Sequence, residues 1–155
     1  MKIAVFSDTH KRISGVLRVI EGEQPDLIIH LGDHIKDAYA IAETVPGIPM
    51  ECVPGNCDYA PTEPEMKLIT LMGVKFMLTH GHNYRVKYET TSLLNAAYFQ
   101  GADIVLFGHT HRPVNDAFKG LRIVNPGSAG LGSPATWARI ELERGIIRDI
   151  SILKI

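Results

Sequence analysis

The chain has 155 residues, of which 45% are hydrophobic and 21% charged, a composition typical of globular proteins and not of disordered or fibrous ones. Sixteen basic and seventeen acidic residues give a net charge of −1, which excludes a strong overall attraction to duplex nucleic acid or to anionic lipid. A chain of this length can bury the core of one domain, which we expect to span residues 1–155.

The apolar runs and the cysteines indicate a cytoplasmic protein. The first run, residues 3–6, is too short for a secretory signal, and no later run reaches the length of a membrane span. Cys52 and Cys57, the only cysteines, are therefore expected to be reduced thiols. We expect no membrane contact, and the sequence leaves homo-oligomerisation open.

Short runs rich in Val, Ile, Leu and Phe predict buried strands along the first two thirds of the chain. These runs are residues 2–6, 27–31, 50–53, 66–71, 74–78 and 104–107. Apolar residues at helical spacing predict helices around residues 16–20, 38–45 and 93–98, and Gly101 should end the third helix. Met72-Gly73 predicts a hairpin turn, because glycine tolerates positive φ.

The last third of the chain predicts antiparallel hairpins. Residues 114–118 and 121–124 flank Lys119-Gly120, and residues 136–142 and 146–152 flank a turn at Gly145. Alternating strands and helices followed by hairpins predict an α/β fold, with two sheets packed face to face and the helices outside.

Five of the predicted strands lead directly into residues that can bind a metal ion. These five ligand segments are Asp8-Thr9-His10, Gly32-Asp33, Gly55-Asn56-Cys57-Asp58, His80-Gly81-His82 and Gly108-His109-Thr110-His111. Ligand sites in open α/β sheets form beyond the carboxyl ends of strands, so the segments can converge in space. One Asp-x-His or Gly-Asp pair is common in turns and helix caps, but five such endings on one short chain predict a metal site.

The ligand segments, in this order, resemble those of the calcineurin-like metallophosphoesterase superfamily. With its short length and the segment Asn125-Pro126-Gly127-Ser128, the chain is most similar to the compact YfcE-type phosphodiesterases. The resemblance implies a four-layer αββα sandwich of two mixed sheets with helices outside. It also implies a hydrolase of phosphoric esters, most simply a phosphodiesterase with a small phosphoester substrate.

The resemblance further implies a dinuclear metal centre. Asp8, His10, Asp33 and His111 would hold one divalent ion, and Asp33, Asn56, His80 and His109 the second. Asp33 is the natural bridge, because a carboxylate can offer one oxygen to each of two ions about 3.5 to 4 Å apart. The mixed donors favour Mn²⁺, Fe²⁺, Zn²⁺ or Ni²⁺ over Ca²⁺. Mn²⁺ is the first expectation, and Mg²⁺ is a further candidate.

The expected reaction is in-line attack on phosphorus by a hydroxide that bridges the two ions. The candidate catalytic residues are Asp33, Asn56, Cys57, Asp58 and His82. Asp58 is expected to orient its neighbours. For His82 we leave open a contact with the phosphate, the donation of a proton and a structural role.

Four further residues beside the ligand segments, Lys11, Arg12, Tyr84 and Arg85, could touch substrate, but an ordinary surface position is the stronger expectation. His30 lies inside an apolar run and is expected to be a core or rim residue and not a ligand. For His34 both a ligand and a structural position stay open.

Cys57 departs from the wider family, which has histidine at the corresponding position of Gly-Asn-His-Asp. A thiol is a weak hydrogen-bond donor with a reference pKa of about 8.5, and it replaces an imidazolium poorly at neutral pH. Cysteine is familiar at this position in the YfcE-type subgroup, so the departure sharpens the resemblance. We expect esters with acidic leaving groups, such as aryl phosphodiesters, to be cleaved better than alkyl esters.

Two other functions fit part of the pattern. The small subunit of retromer resembles the same fold but is a protein-interaction scaffold with altered metal ligands, whereas all seven expected ligands are present here. A nuclease of the Mre11 type would need basic patches and further domains. The charge and length argue against that nuclease, although a short single-stranded or cyclic nucleotide stays open as a substrate.

Overall fold

The structure is a computed structural model that describes all residues, 1–155. Its strands are β1 (Lys2–Phe6), β2 (Leu27–His30), β3 (Met50–Cys52), β4 (Met66–Leu71), β5 (Val74–Thr79), β6 (Ile104–Leu106), β7 (Val114–Phe118), β8 (Leu121–Asn125), β9 (Thr136–Glu143) and β10 (Ile146–Lys154). Its α-helices are α1 (Ser14–Glu23), α2 (Ile35–Thr44) and α3 (Thr91–Phe99). A short 3₁₀ helix spans His82–Tyr84.

The strands form two mixed sheets of five strands each. The first has the order β10-β9-β1-β2-β3, with β1, β2 and β3 parallel and β9 and β10 joined as an antiparallel hairpin. The second has the order β4-β5-β6-β8-β7, with β5, β6 and β8 parallel and antiparallel partners at both edges. The predicted α/β class with two mixed sheets is confirmed.

Three apolar clusters define the layers. Sixteen buried residues, including Ile29 and Phe76, fill the space between the sheets. A second cluster packs Ile20 of α1 and Ile41 of α2 on the outer face of the first sheet, and a third packs Leu93 of α3 on the second sheet. The order of layers is therefore helix, sheet, sheet, helix, as expected for an αββα sandwich. None of the helices is long and apolar enough to cross a bilayer.

Three hairpins turn where the sequence predicts them. In each turn both central residues have positive φ: 51° and 88° at Met72-Gly73, 47° and 87° at Lys119-Gly120, and 50° and 79° at Arg144-Gly145. Such turns match the right-handed twist of the strands that they join, and glycine adopts positive φ without steric cost.

Three strands, β2, β3 and β6, end one residue earlier than predicted. Their last predicted residues, Leu31, Val53 and Phe107, are buried, so the apolar pattern is correct. The chain turns into the ligand segments at these residues. They stay buried but no longer form the backbone pairing of the sheet. The predicted strand limits are wrong by one residue for this reason.

Candidate metal centre

The five ligand segments meet at one edge of the sandwich. The Asp8 N–H donates to the Gly32 carbonyl at 3.0 Å, which joins the segments after β1 and β2. The His109 N–H donates to Asp8 Oδ2 at 3.1 Å, and His80 Nδ1 lies 2.7 Å from the Leu31 carbonyl. The two sheets therefore contribute ligand segments to one site.

Four of the predicted ligands form one group of donors. The donor atoms of Asp8, His10, Asp33 and His111 all lie within 4.8 Å of one another. His111 Nε2 is 3.0 Å from Asp8 Oδ1, and His10 Nε2 is 3.6 Å from Asp33 Oδ2. Adjacent donors on an ion with bonds of about 2.1 Å lie roughly 3 Å apart, so this group has the spacing of a coordination shell.

The remaining predicted ligands lie on the other side of Asp33. His80 Nε2 is 3.4 Å from Asp33 Oδ1 and 3.2 Å from Asn56 Oδ1. The imidazole of His109 packs against that of His80, with ring centroids 5.0 Å apart. Asp33 thus directs one oxygen to each group of donors, and all seven predicted ligands lie together.

Two buried atoms of the site support the fit of a cation. Asp8 Oδ1 and His10 Nε2 have no hydrogen-bond partner, although His111 Nε2 lies close to the former. A buried polar atom without a partner costs about 1–3 kcal/mol. A divalent ion would give both atoms a partner, and oxygen and imidazole donors suit such an ion.

The charges of the site also suit metal binding. Burial raises the pKa of Asp8 to about 7, assisted by the neighbouring charge of Asp33 and opposed by the Ser7 hydroxyl. Burial lowers the pKa of His80 to about 4. Burial also lowers the pKa of His10, His109 and His111. The imidazoles are therefore neutral at physiological pH, the form that binds metal.

The His80 ring is held in one tautomer. Its Nδ1 donates to the Leu31 carbonyl, because a carbonyl can only accept. Its Nε2 then carries the lone pair and faces Asn56 and Asp33. A hydrogen bond of this kind orients a ligand imidazole and increases its basicity.

Left-handed backbone conformations aim the ligands into the site. The φ angles are 55° at Asp8, 46° at His10, 58° at Asp33, 67° at His109 and 57° at His111. These conformations are uncommon for residues other than glycine, and they gather at functional sites where the surroundings enforce them.

Three glycines allow the loops to interlock. A Cβ on Gly55 would collide with Asp33, one on Gly108 with the Ser7 side chain, and one on Gly130 with the Thr9 backbone. The glycines at these positions are required by close approach of neighbouring loops. They fix the ligand segments relative to one another.

Asp58 accepts two backbone hydrogen bonds that join neighbouring segments. Its Oδ1 accepts from the Ile35 N–H at the start of α2, and its Oδ2 accepts from the Gly55 N–H, each at 2.8 Å. The carboxylate thereby ties the segment that carries Asn56 to the helix that follows Asp33.

The other residues with expected roles lie around the centre. Cys57 is exposed, and its N–H donates to Asp33 Oδ1 at 3.0 Å. Partial desolvation and the neighbouring Asp33 raise the pKa of its thiol to about 11, so the thiol is neutral. The His82 ring lies at steep angles to those of His80 and His109, with centroids 5.5 and 6.1 Å apart, and its buried Nδ1 has no partner.

His30 and His34 differ in their surroundings. His30 is fully buried, with its ring nitrogens 3.1 Å from Thr9 Oγ1 and 3.3 Å from the Gly32 N–H, which confirms it as a core residue. His34 starts α2, and its ring lies 5.1 Å from that of His10.

Sequence reasoning missed several residues that support or surround the centre. Ser128 Oγ donates to the Asp8 carbonyl at 2.8 Å, and Asn125 Nδ2 donates to the Gly108 carbonyl at 2.8 Å. Both lie in the segment Asn125-Pro126-Gly127-Ser128. This segment contributed to the family resemblance, but the sequence did not predict these contacts. Lys87 was also missed: its positive charge, after burial, lowers the pKa of His109 and His111.

Known proteins that resemble this chain in sequence are phosphoesterases by family and by name. Residues 1–145 match the calcineurin-like phosphoesterase superfamily domain. The chain is 31% identical over 135 residues to the probable metallophosphoesterase YsnB of Bacillus subtilis, covering 84% of this chain and 76% of that protein. It is 27% identical over 170 residues to the phosphodiesterase YfcE of Escherichia coli, covering 91% and 88%.

Solved structures share the whole fold. An uncharacterised protein from Streptococcus pneumoniae, described as a predicted phosphoesterase, has a TM-score of 0.83 at 26% identity and covers 99% of this chain and 88% of its own. Vps29 of Entamoeba histolytica, crystallised with Zn²⁺, has a TM-score of 0.80 at 20% identity, with coverages of 100% and 98%, which shows the fold alone. By its domain match and its relatives, this chain belongs to the calcineurin-like phosphoesterase superfamily.

Proposed function

We propose that this protein is a phosphodiesterase that holds two divalent metal ions and cleaves a small phosphoester. The observation that carries the proposal is the position of Asp33, whose Oδ2 faces His10 at 3.6 Å and whose Oδ1 faces His80 at 3.4 Å. A carboxylate between two groups of donors is the arrangement that a two-metal hydrolase needs.

The chain's own residues bind and orient the reacting groups. Asp8, His10, Asp33 and His111 would hold one ion, and Asp33, Asn56, His80 and His109 would hold the other. Two bound divalent ions would supply an activated water and stabilise the charge that develops on the phosphate oxygens. Their four positive charges exceed the two negative charges of Asp8 and Asp33, so the loaded site attracts phosphate.

Cys57 stands where the wider family has a histidine that could protonate the leaving group. Cys57 has a pKa raised to about 11 and is a weak donor. His82 lies outside the ligand set, beside both His80 and His109, and we propose that it contacts the bound phosphate. Esters whose leaving groups need no protonation are therefore the better substrates.

The metals are proposed from the chemistry of the donors. Imidazole, amide and carboxylate together suit Mn²⁺, Fe²⁺, Zn²⁺ and Ni²⁺, and we propose Mn²⁺ first, with Mg²⁺ as a weaker candidate. Cysteine sulfur, which would favour softer ions, is not among the proposed donors.

The test is hydrolysis of bis(p-nitrophenyl) phosphate and of p-nitrophenyl phosphate by metal-stripped protein, with Mn²⁺, Ni²⁺, Zn²⁺ or Mg²⁺ added back. We expect metal-dependent cleavage, faster for the diester, with a stoichiometry of two ions per chain. Asp33→Asn should remove the activity and the second ion. Absence of cleavage with every metal would contradict the proposal.

An interaction scaffold is the second candidate, because the fold likeness to Vps29 is extensive. The complete set of seven ligands at the edge of the sandwich favours the enzyme, since a scaffold does not need them. A nuclease of long strands is disfavoured by the net charge of −1, because such a site needs a basic surface along the strand.

A further inference from the structure

A pocket of about 450 Å³ lies beside the proposed metal centre, between the loop after the 3₁₀ helix and the loop after β6. Three apolar side chains, Val86, Phe107 and Val114, line it. Two cationic side chains, Lys87 and Arg112, line it as well. None of these five residues is a proposed metal ligand.

The pocket is continuous with a ligand segment. Thr110, which lies between His109 and His111, forms part of its wall. The Thr110 hydroxyl accepts from Asn125 Nδ2 at 3.1 Å and from the Arg112 N–H at 3.2 Å. These bonds fix the pocket wall to the same loop that presents the two imidazoles, so a group attached to a phosphate bound there is adjacent to the pocket.

The two cations have no anionic partner within the protein. Neither Lys87 nor Arg112 is among the residues that form ion pairs. Glu89, the acidic residue of the same loop, instead accepts from the Thr91 N–H at 2.6 Å and from the Ser92 hydroxyl at 3.2 Å. The pocket lining therefore combines apolar side chains with positive charges that have no acidic partner.

We propose, on the basis of the proposed function, that this pocket binds one ester group of the substrate. It selects an ester group that contains an apolar ring with a further negative charge. The ring packs on Val86, Phe107 and Val114, while Lys87 and Arg112 bind a carboxylate or a second phosphate. These two cations are then specificity-determining residues, and the substrate class is a phosphodiester with an additional anionic group.

The first arm of the test compares two diesters with the same leaving group, 4-carboxyphenyl p-nitrophenyl phosphate and its neutral isostere 4-carbamoylphenyl p-nitrophenyl phosphate. We expect kcat/KM to favour the carboxylate by about tenfold, which corresponds to about 1.4 kcal/mol. The double substitution K87Q/R112Q should reduce the ratio to about one. K119Q, which removes a cation from the distant β7–β8 turn, should keep it. A ratio cancels any general change in activity.

The second arm needs no turnover. Calorimetric Kd values of 4-carboxybenzylphosphonate and 4-carbamoylbenzylphosphonate should show the same preference, decreasing as salt is added and disappearing in K87Q/R112Q. Charge-dependent binding without hydrolysis of either diester would overturn the proposed function and keep the pocket assignment. Equal Kd values, no binding of either phosphonate, or a preference that survives K87Q/R112Q would overturn the pocket assignment.

Discussion

Asp8 is a buried carboxylate that has no metal ion to balance its charge when the protein is stripped. Burial raises its pKa from the ordinary 3.8 to about 7, so between these pH values the folded chain binds a proton more readily than the unfolded chain does. For this group, the free energy of unfolding of the metal-free protein falls as pH rises through that window. Each unit of pKa difference corresponds to about 1.4 kcal/mol.

We therefore expect Asp8→Asn to raise the free energy of unfolding of the metal-free protein at pH 8, by up to about 4 kcal/mol. Near pH 4 the two proteins should be equally stable, because Asp8 is then protonated. Urea unfolding of both chains at the two pH values measures this difference. An equal gain in the free energy of unfolding at both pH values would show that the charge of Asp8 is not its cause.

We expect the side chain at position 57 to determine which leaving groups the site can release. We expect Cys57→His to increase kcat for alkyl diesters by about 10²-fold, because an imidazolium can protonate an alkoxide, and to change aryl diesters little. The measurement is the slope of log kcat against the pKa of the leaving alcohol, which should become shallower. Cys57→Ser is the matched control, and an unchanged slope in Cys57→His would refute the explanation.

At the scale of single residues, the sequence predicted which polar side chains lie together at one edge of the sandwich, but it did not predict the pocket residues. Each proposed ligand follows a buried strand, and topology sends the ends of such strands to one edge. Lys87 and Arg112 follow no such rule. They meet because loops from two different parts of the second sheet pack together, and an exposed cation in sequence carries no sign of that packing.

The helix α2 shows how an element depends on a residue outside it. His34, at its N-terminus, makes no capping hydrogen bond through its side chain, and Asp58 from another loop accepts from the Ile35 N–H instead. A carboxylate at this end also interacts favourably with the helix dipole.

Asp58→Ala should therefore lower the free energy of unfolding by about 1–2 kcal/mol, as the loss of a helix cap does. It should also weaken metal binding by about tenfold or more, since Asp58 holds the Gly55 segment beside Asn56. Thermal unfolding and Mn²⁺ titration measure the two effects. Asp58→Asn, which keeps an acceptor oxygen, should have a stability and a metal affinity between those of the wild type and Asp58→Ala. An unchanged metal affinity in Asp58→Ala would contradict the expected effect of Asp58 on the metal site.

The elements themselves were largely predictable because their patterns are local. Apolar runs located all ten strands, and the Gly73, Gly120 and Gly145 turns located the hairpins. The errors concern strand ends: β2, β3 and β6 end one residue earlier than predicted, at the start of ligand segments, whereas β5, β8, β9 and β10 end one or two residues later. The pairing of β1 with β9, 130 or more residues apart in sequence, is a long-range contact that no local pattern specifies.

At the scale of the whole molecule, the two sheets share one apolar cluster, and we expect them to unfold together. Ile104→Val, in the second sheet, should lower the free energy of unfolding by about 0.5–1.5 kcal/mol. The fluorescence of Trp137, in the first sheet, should show the unfolding transition shifted by the same amount as far-UV circular dichroism shows for the whole chain. Transitions that separate between the two probes would contradict a single domain over residues 1–155.

The interlocked glycines have a consequence for the speed of metal uptake. Gly55, Gly108 and Gly130 leave no space between loops, so the ligand segments are already in place before an ion arrives. We therefore expect uptake to need no ordering of the backbone and its rate to be limited by the removal of water from the incoming ion. Because Mg²⁺ dehydrates reluctantly, we expect stopped-flow loading to be slower with Mg²⁺ than with Mn²⁺, in single exponential phases that lack a folding component.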